Sequence, residues 1–373
     1  MYPPKRPNCA AFTGKILLAS LISLMALLAL GCGRSSEETT APPAAPPTGT
    51  TATTPGTPAT TPGGPAGAFK VALVMSGKTT DNGWNTGAFN ALKALRKEFG
   101  LSDADSPYVD NQTTPGQEEE NLRDFARQGY NVVIGHGTEY QDIALKLEND
   151  FPKTWFVISA GTKAGKNTMP IPYQLEDGAY LLGMLAAGMT KTGKIGIVGP
   201  MPEPPIKQVF AAFEAGAKAE KPDVTVIPPV YTQSWDDIGA AKQSALALIN
   251  QGADVIMQDV DTAAQGVFNA VEDNKDKGVY ALGANSDQNS FAPDVVLASA
   301  PIYIDKSFVD VVKQIKAGNF TPSVKPFDMK SGYIGFVLNP QLEAKIPADL
   351  KAKLEDTQKK ITDGSFTVPK GTS

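Results

Sequence analysis

From residue 69 onward, strand-length apolar runs alternate with amphipathic segments of helical period, and this rhythm constrains the fold more than any other feature of the chain. Residues 69–75 (FKVALVM) form the first run. A helix is expected over 86–99, where Phe89, Leu92, Leu95 and Phe99 share one stripe. Further strands are expected near 108–109 and at 131–135, 155–160, 194–199, 224–230, 254–258, 279–283 and 295–299. Helices are expected between them at 117–128, 140–150, 177–189, 207–220, 237–251 and 262–272. Strands that alternate with helices imply an α/β architecture of parallel sheets covered on both faces. This segment, about 300 residues long, exceeds what one hydrophobic core usually serves, so two lobes are expected.

What precedes residue 69 lacks the rhythm. Lys5, Arg6 and Lys15 stand ahead of an apolar stretch over 16–30, the layout of a secretory leader. The stretch is short for a permanent span. It ends in Ala29-Leu30-Gly31-Cys32, which resembles a bacterial lipoprotein signal. That resemblance implies removal of residues 1–31 and lipidation of the Cys32 thiol. The other cysteine, Cys9, would leave with the leader, so no disulfide within the chain is expected. Residues 32–68 add to Cys32 a stretch built almost wholly from Pro, Thr, Ala and Gly, which buries too little surface to offset its ordering entropy and reads as a disordered tether. The net charge is −5 and the globular part carries no basic stripe, which argues against nucleic acid as a partner.

In parallel α/β sheets, ligands bind where loops leave the carboxyl ends of the strands. Three such loops hold an aromatic ring beside a carboxylate or amide: Asp81/Trp84/Asn85, Glu139/Tyr140 and Trp235/Asp236. With two lobes facing one another, a ring from each wall could sandwich a flat ligand, and stacking of a base on an aromatic side chain is worth on the order of 1–3 kcal/mol. Trp84 and Phe89 would then form a platform, with Asp81 and Asn85 supplying orientation. Phe89 suits the helix core equally well, because it lies on the stripe with Leu92. His136 and Tyr140 would line the rim. Of Asp236 and Asp237, one would face the cleft and the other cap the following helix. Asp259 and Asp261 alternate about a strand end, so one of them is expected to point at the ligand.

Sequence patterns for chemistry fail on inspection. Gly135-His136-Gly137 begins like a dinucleotide fingerprint, but Tyr140 replaces the third glycine. The stretch 161–167 falls one residue short of a phosphate loop. His136 is the only histidine, so no histidine cluster can hold a transition metal, and no G-x-S-x-G elbow accompanies it. Glu118, Glu119 and Glu120 open a helix, where negative charge offsets the dipole. No catalytic set, metal or cofactor is expected, and the chain reads as a binding protein rather than an enzyme.

Five blocks in order resemble the basic membrane protein family, the substrate-binding lipoproteins of ABC importers that carry purine nucleosides or related bases. They are the Asp81–Phe89 loop, "EDGAYLLGMLAAGMTKTGKIGIVGP", the Thr232–Asp237 loop, "QGADVIMQDVDTAAQGV" and "GANSDQNSFAP" at 283–293. The resemblance implies a type I periplasmic-binding fold: two Rossmann-like lobes of parallel sheet about a hinged cleft. Lobe 1 would comprise 69–173 plus 300–325, and lobe 2 would comprise 174–299 plus 326–373. It also favours Asp261 over Asp259 and adds Gly283 and Asp287 to the ligand set. A lipid-anchored, extracytoplasmic monomer that hands its ligand to a permease and ATPase complex is implied. Asn285 and Ile302 stand where many members have an aspartate and a lysine, so nucleoside and free base both remain open. A sugar receptor of the same fold, or a lipoprotein that senses or presents itself to a partner, are the alternatives.

Overall fold

Strand β1 (Val71–Met75) is buried along its whole length, and its period-two pleat divides it between two cores: Val71, Leu73 and Met75 face one cluster, Ala72 and Val74 another. The computed structural model describes residues 68–318 and 320–370. The leader, Cys32 and the tether lie outside these residues.

After β1 come α1 (Trp84–Phe99), β2 (Tyr108–Val109), α2 (Pro115–Arg127), β3 (Val132–His136), α3 (Tyr140–Leu147), β4 (Trp155–Ser159) and β5 (Thr168–Ile171). They make an all-parallel sheet in the order β2-β1-β3-β4-β5. The second sheet begins after α4 (Glu176–Met189), with β6 (Lys194–Gly199), α5 (Pro204–Glu220), β7 (Thr225–Val226), β8 (Val230–Tyr231), α6 (Ile238–Asn250) and β9 (Val255–Gln258). It continues with α7 (Ala264–Glu272), β10 (Tyr280–Asn285), β11 (Val296–Pro301), α8 (Ile304–Lys316), β12 (Val337–Leu338) and α9 (Ala348–Asp363). Its order is β12-β11-β10-β9-β6-β7, with β8 also paired to β6; the β11–β12 pair is antiparallel and the other pairs are parallel. Strand order reverses between β1 and β3 in the first lobe and between β6 and β9 in the second, which places ligand-binding loops at those switch points.

Helix α8 returns to pack on α1 of the first lobe, whereas α9 packs on α4 of the second. The crossings are stitched together. Tyr173 bridges Phe327 in parallel fashion, with Phe327 N donating to Pro172 O at 2.9 Å and Gln174 N to Phe327 O at 3.0 Å. Helices α4 and α5 approach backbone to backbone: a Cβ at Gly183 would collide with the Phe213 carbonyl, and one at Gly216 with the Tyr180 carbonyl.

The structure departs from the expected elements in two respects. The single strand expected at 224–230 is the pair β7 and β8, because Pro228 and Pro229 have no N–H with which to continue a ladder. The expected rhythm also missed β5, α8, β12 and α9. Strand β5 carries Pro170 on an edge, where the missing donor is tolerated.

Candidate ligand-binding cleft

The loop after β1 is held by its own polar groups. Asp81, only 3% exposed, accepts through Oδ1 from Gly83 N (3.0 Å) and Thr86 N (2.9 Å), and through Oδ2 from Asn85 N and Asn85 Nδ2 (both 2.8 Å). These bonds satisfy N–H groups that the first turn of α1 would otherwise leave orphaned. Asn85 also accepts from Gly77 N at 3.3 Å, so its carboxamide is engaged at both ends. Asp81 and Asn85 thus act as clamps on the loop that presents Trp84.

The half-buried Trp84 indole stacks on the His136 imidazole, with centroids 4.1 Å apart and planes at 23°, and meets the Tyr173 ring edge-on. His136 is fully buried. Its Nε2 lies 3.0 Å from the Trp84 carbonyl and its Nδ1 2.7 Å from Ser159 Oγ. A carbonyl can only accept, so Nε2 carries the proton and Nδ1 accepts from the Ser159 hydroxyl. Burial pushes the His136 pKa down to about 3, leaving the ring neutral. Expected at the rim, His136 instead supports the indole from below.

Tyr140 is a second correction. Its side chain is fully buried in the cluster with Val74, Phe156 and Ile158, and its hydroxyl has no partner among the described residues. As the first residue of α3 it folds back onto the sheet, where Gly135 leaves room for the ring. Phe89 packs against Tyr108 at 4.8 Å, with Lys93 Nζ 4.3 Å from its ring centre, on the side of α1 toward β2 rather than beside Trp84.

On the second wall, Trp235 is half-buried and its carbonyl accepts from Ala263 N at 3.0 Å, which ties two cleft loops together. Asp237 caps α6 through Ala240 N at 2.8 Å, while Asp236 is exposed. Gly283 is a close-packing position, since a Cβ there would sit 2.6 Å from Ser299 Oγ. Asp287 is exposed and accepts from Asn289 N at 3.1 Å in a local turn.

The walls touch. Trp84 N donates to Asp261 Oδ1 at 3.3 Å, and Ser286 Oγ to Asn82 O at 3.0 Å. Asn82, Asp261 and Asn285 all adopt positive φ, so strained backbone gathers at this contact. Burial, then Asp81 and Asp259, hold the Asp261 carboxyl well above the usual carboxylate range. Behind the contact lies a cavity lined by Asp259 and Asn285 among Leu175, Leu182, Met257 and Ile334. The family resemblance favours Asp261, whereas Asp259 lines this cavity. Strand parity could have found it, because Val255 and Met257 face α4 and Asp259 continues the same side beyond β9.

Two hinged α/β lobes with switch-point loops meeting across a cleft define a solute-binding protein of the type I periplasmic-binding fold. A crystal structure of an ABC transporter solute-binding protein from Aeropyrum pernix K1 superposes with a TM-score of 0.72 at 21% identity, covering 81% of this chain and 94% of that one. The chain belongs to the Bmp family: the model for ABC transporter substrate-binding protein PnrA-like matches residues 68–370. A purine-binding protein of Brucella abortus is 29% identical over 303 residues, covering 80% of this chain and 83% of that protein. Basic membrane protein A2 of Borrelia garinii is 26% identical over 312 residues, covering 82% and 89%. The chain is therefore a binding component of an ABC transporter system. Among the described residues, no cluster of side chains suits a metal ion and no helix is long and apolar enough to cross a membrane.

Proposed function

We propose that the chain is a lipid-anchored, extracytoplasmic receptor that captures a purine base or nucleoside between its lobes and delivers it to an ABC permease and ATPase. The observation that carries this reading is the Trp84–His136 stack at the α1 end of the cleft, with the buried Asp259 and half-buried Asn285 on the other wall. A supported indole offers a flat heterocycle a rigid face, and the facing polar pair supplies in-plane bonds. The printed name of the Brucella relative supports the ligand class. In this reading Trp84 and Trp235 stack, Asp259 and Asn285 hydrogen-bond, and Asp81, Asn85, His136 and Asp261 hold the walls.

Calorimetric titration of the whole chain with adenine, guanine, hypoxanthine, xanthine and their nucleosides tests the reading. Saturable binding of at least one is expected, together with a raised melting temperature, because a ligand that binds only the folded state stabilises it. Binding of monosaccharides with no response to any purine would overturn it. Anchoring at Cys32 is tested separately: labelling by a radioactive fatty acid is expected in the native chain and absent in Cys32→Ser.

A further inference from the structure

The Asp259 carboxyl is 2% exposed and lines an otherwise largely apolar cavity. Its Oδ1 accepts from Asn285 Nδ2 at 2.8 Å. Among the described residues no hydrogen bond reaches its Oδ2, and no lysine or arginine pairs with it. That oxygen is left open toward the cavity, where it can accept from an incoming donor. Asn285 has turned its Nδ2 toward Asp259, which leaves its own Oδ1 as a further acceptor. The left-handed backbone at Asn285 (φ 64°) and the bond from Ile302 N to its carbonyl at 3.1 Å hold that orientation. The two side chains therefore present a pair of acceptors, and no cation, to whatever enters between Leu182 and Met257.

We propose that Asp259 and Asn285 determine specificity by demanding N–H donors from the ligand edge that reaches this cavity. Within the purine reading, on which this inference rests, the preferred ligands are 6-oxopurines, whose ring N1 carries a hydrogen. Adenine places an unprotonated N1 lone pair at the corresponding position, where it faces acceptors only. A ligand that lacks the donor leaves a largely buried acceptor unmatched, and that is the source of the discrimination.

The test is a titration of the whole chain with hypoxanthine, adenine and 1-methylhypoxanthine at a pH above the range in which Asp259 takes up a proton. Hypoxanthine is expected to bind about 10- to 100-fold more tightly than the other two, the factor that corresponds to one unmatched buried polar group. Asp259→Asn is expected to remove most of that preference, and a melting transition as cooperative as that of the native chain would show that the fold is intact. Equal affinity of the native chain for hypoxanthine and adenine would overturn the inference, as would an Asp259→Asn chain that keeps the preference; either result leaves the purine reading standing. Absence of binding to every purine would remove both. Should Asp259→Asn fail to fold, the adenine and 1-methylhypoxanthine comparisons on the native chain decide the matter by themselves.

Discussion

Asp81 in the first lobe and Asp259 in the second are both almost fully buried, yet Asp81 accepts four hydrogen bonds and Asp259 one from a neighbouring side chain. Asp81 sits at a helix start, where orphaned backbone donors converge on its carboxylate. Asp259 sits at a strand end, where the backbone N–H bonds Val198 O and the side chain faces a cavity. The same residue type thus makes a rigid wall on one side and leaves acceptor capacity facing a cavity on the other. A cleft of this kind needs both, because a platform that moved would blur the reading done opposite it.

Removing the clamp is the most damaging test of that contrast. Asp81→Ala is expected to lower unfolding free energy by about 2–4 kcal/mol, since several buried donors lose a charged acceptor at once; a urea titration showing under about 1 kcal/mol would place the loop's rigidity elsewhere. Next comes the platform itself. Trp84→Ala is expected to weaken purine affinity by about 10- to 100-fold, matching the stacking energy of a base, and an unchanged calorimetric affinity would show that the indole is not the stacking surface.

His136 and Asp259 give opposite pH signatures. For His136, with a folded pKa of about 3 against about 6.5 unfolded, stability is fully present above 6.5 and lost as pH falls toward 3. His136→Gln is expected to cost about 1 kcal/mol at neutral pH through its two bonds, and to flatten that acid limb in denaturation curves. For Asp259, burial raises the pKa to about 6, so its contribution is fully present below about 3.8 and lost as pH rises through 6. Asp259→Asn is expected to abolish that loss and to equal or exceed the native stability at alkaline pH. A variant clearly weaker there would mean that the carboxylate has a cationic partner. The smallest effect is expected at Asp287, exposed and bonded only within its turn: Asp287→Ala should change stability by under about 0.5 kcal/mol, and a large loss of ligand affinity would return it to the site.

Much of the second lobe's architecture was legible because buried parallel strands need continuous apolar runs, and Val255–Gln258 or Tyr280–Asn285 can hardly be anything else in their setting. Helix α8 is strongly amphipathic, but its place lies beyond the last run of the strand rhythm and its return to the first lobe has no local signal. Among site residues, Trp84 and Asp81 were conspicuous in a polar, glycine-spaced loop. Their division of labour was not, since nothing in "DNGWN" says that the aspartate turns inward to the helix start while the indole finds a histidine more than fifty residues away.

The sequence by itself determined the alternation of strands and helices, the split into two lobes, the membership of the chain in its family and the loops worth inspecting, because each of these follows from local period, composition or motif order. Only the tertiary structure decided that His136 and Tyr140 are interior and that Phe89 faces away toward Tyr108. Those choices depend on which groups from distant segments arrive within about 3 Å of one another, where hydrogen bonding and desolvation set in, and no pattern along one strand or helix encodes that meeting.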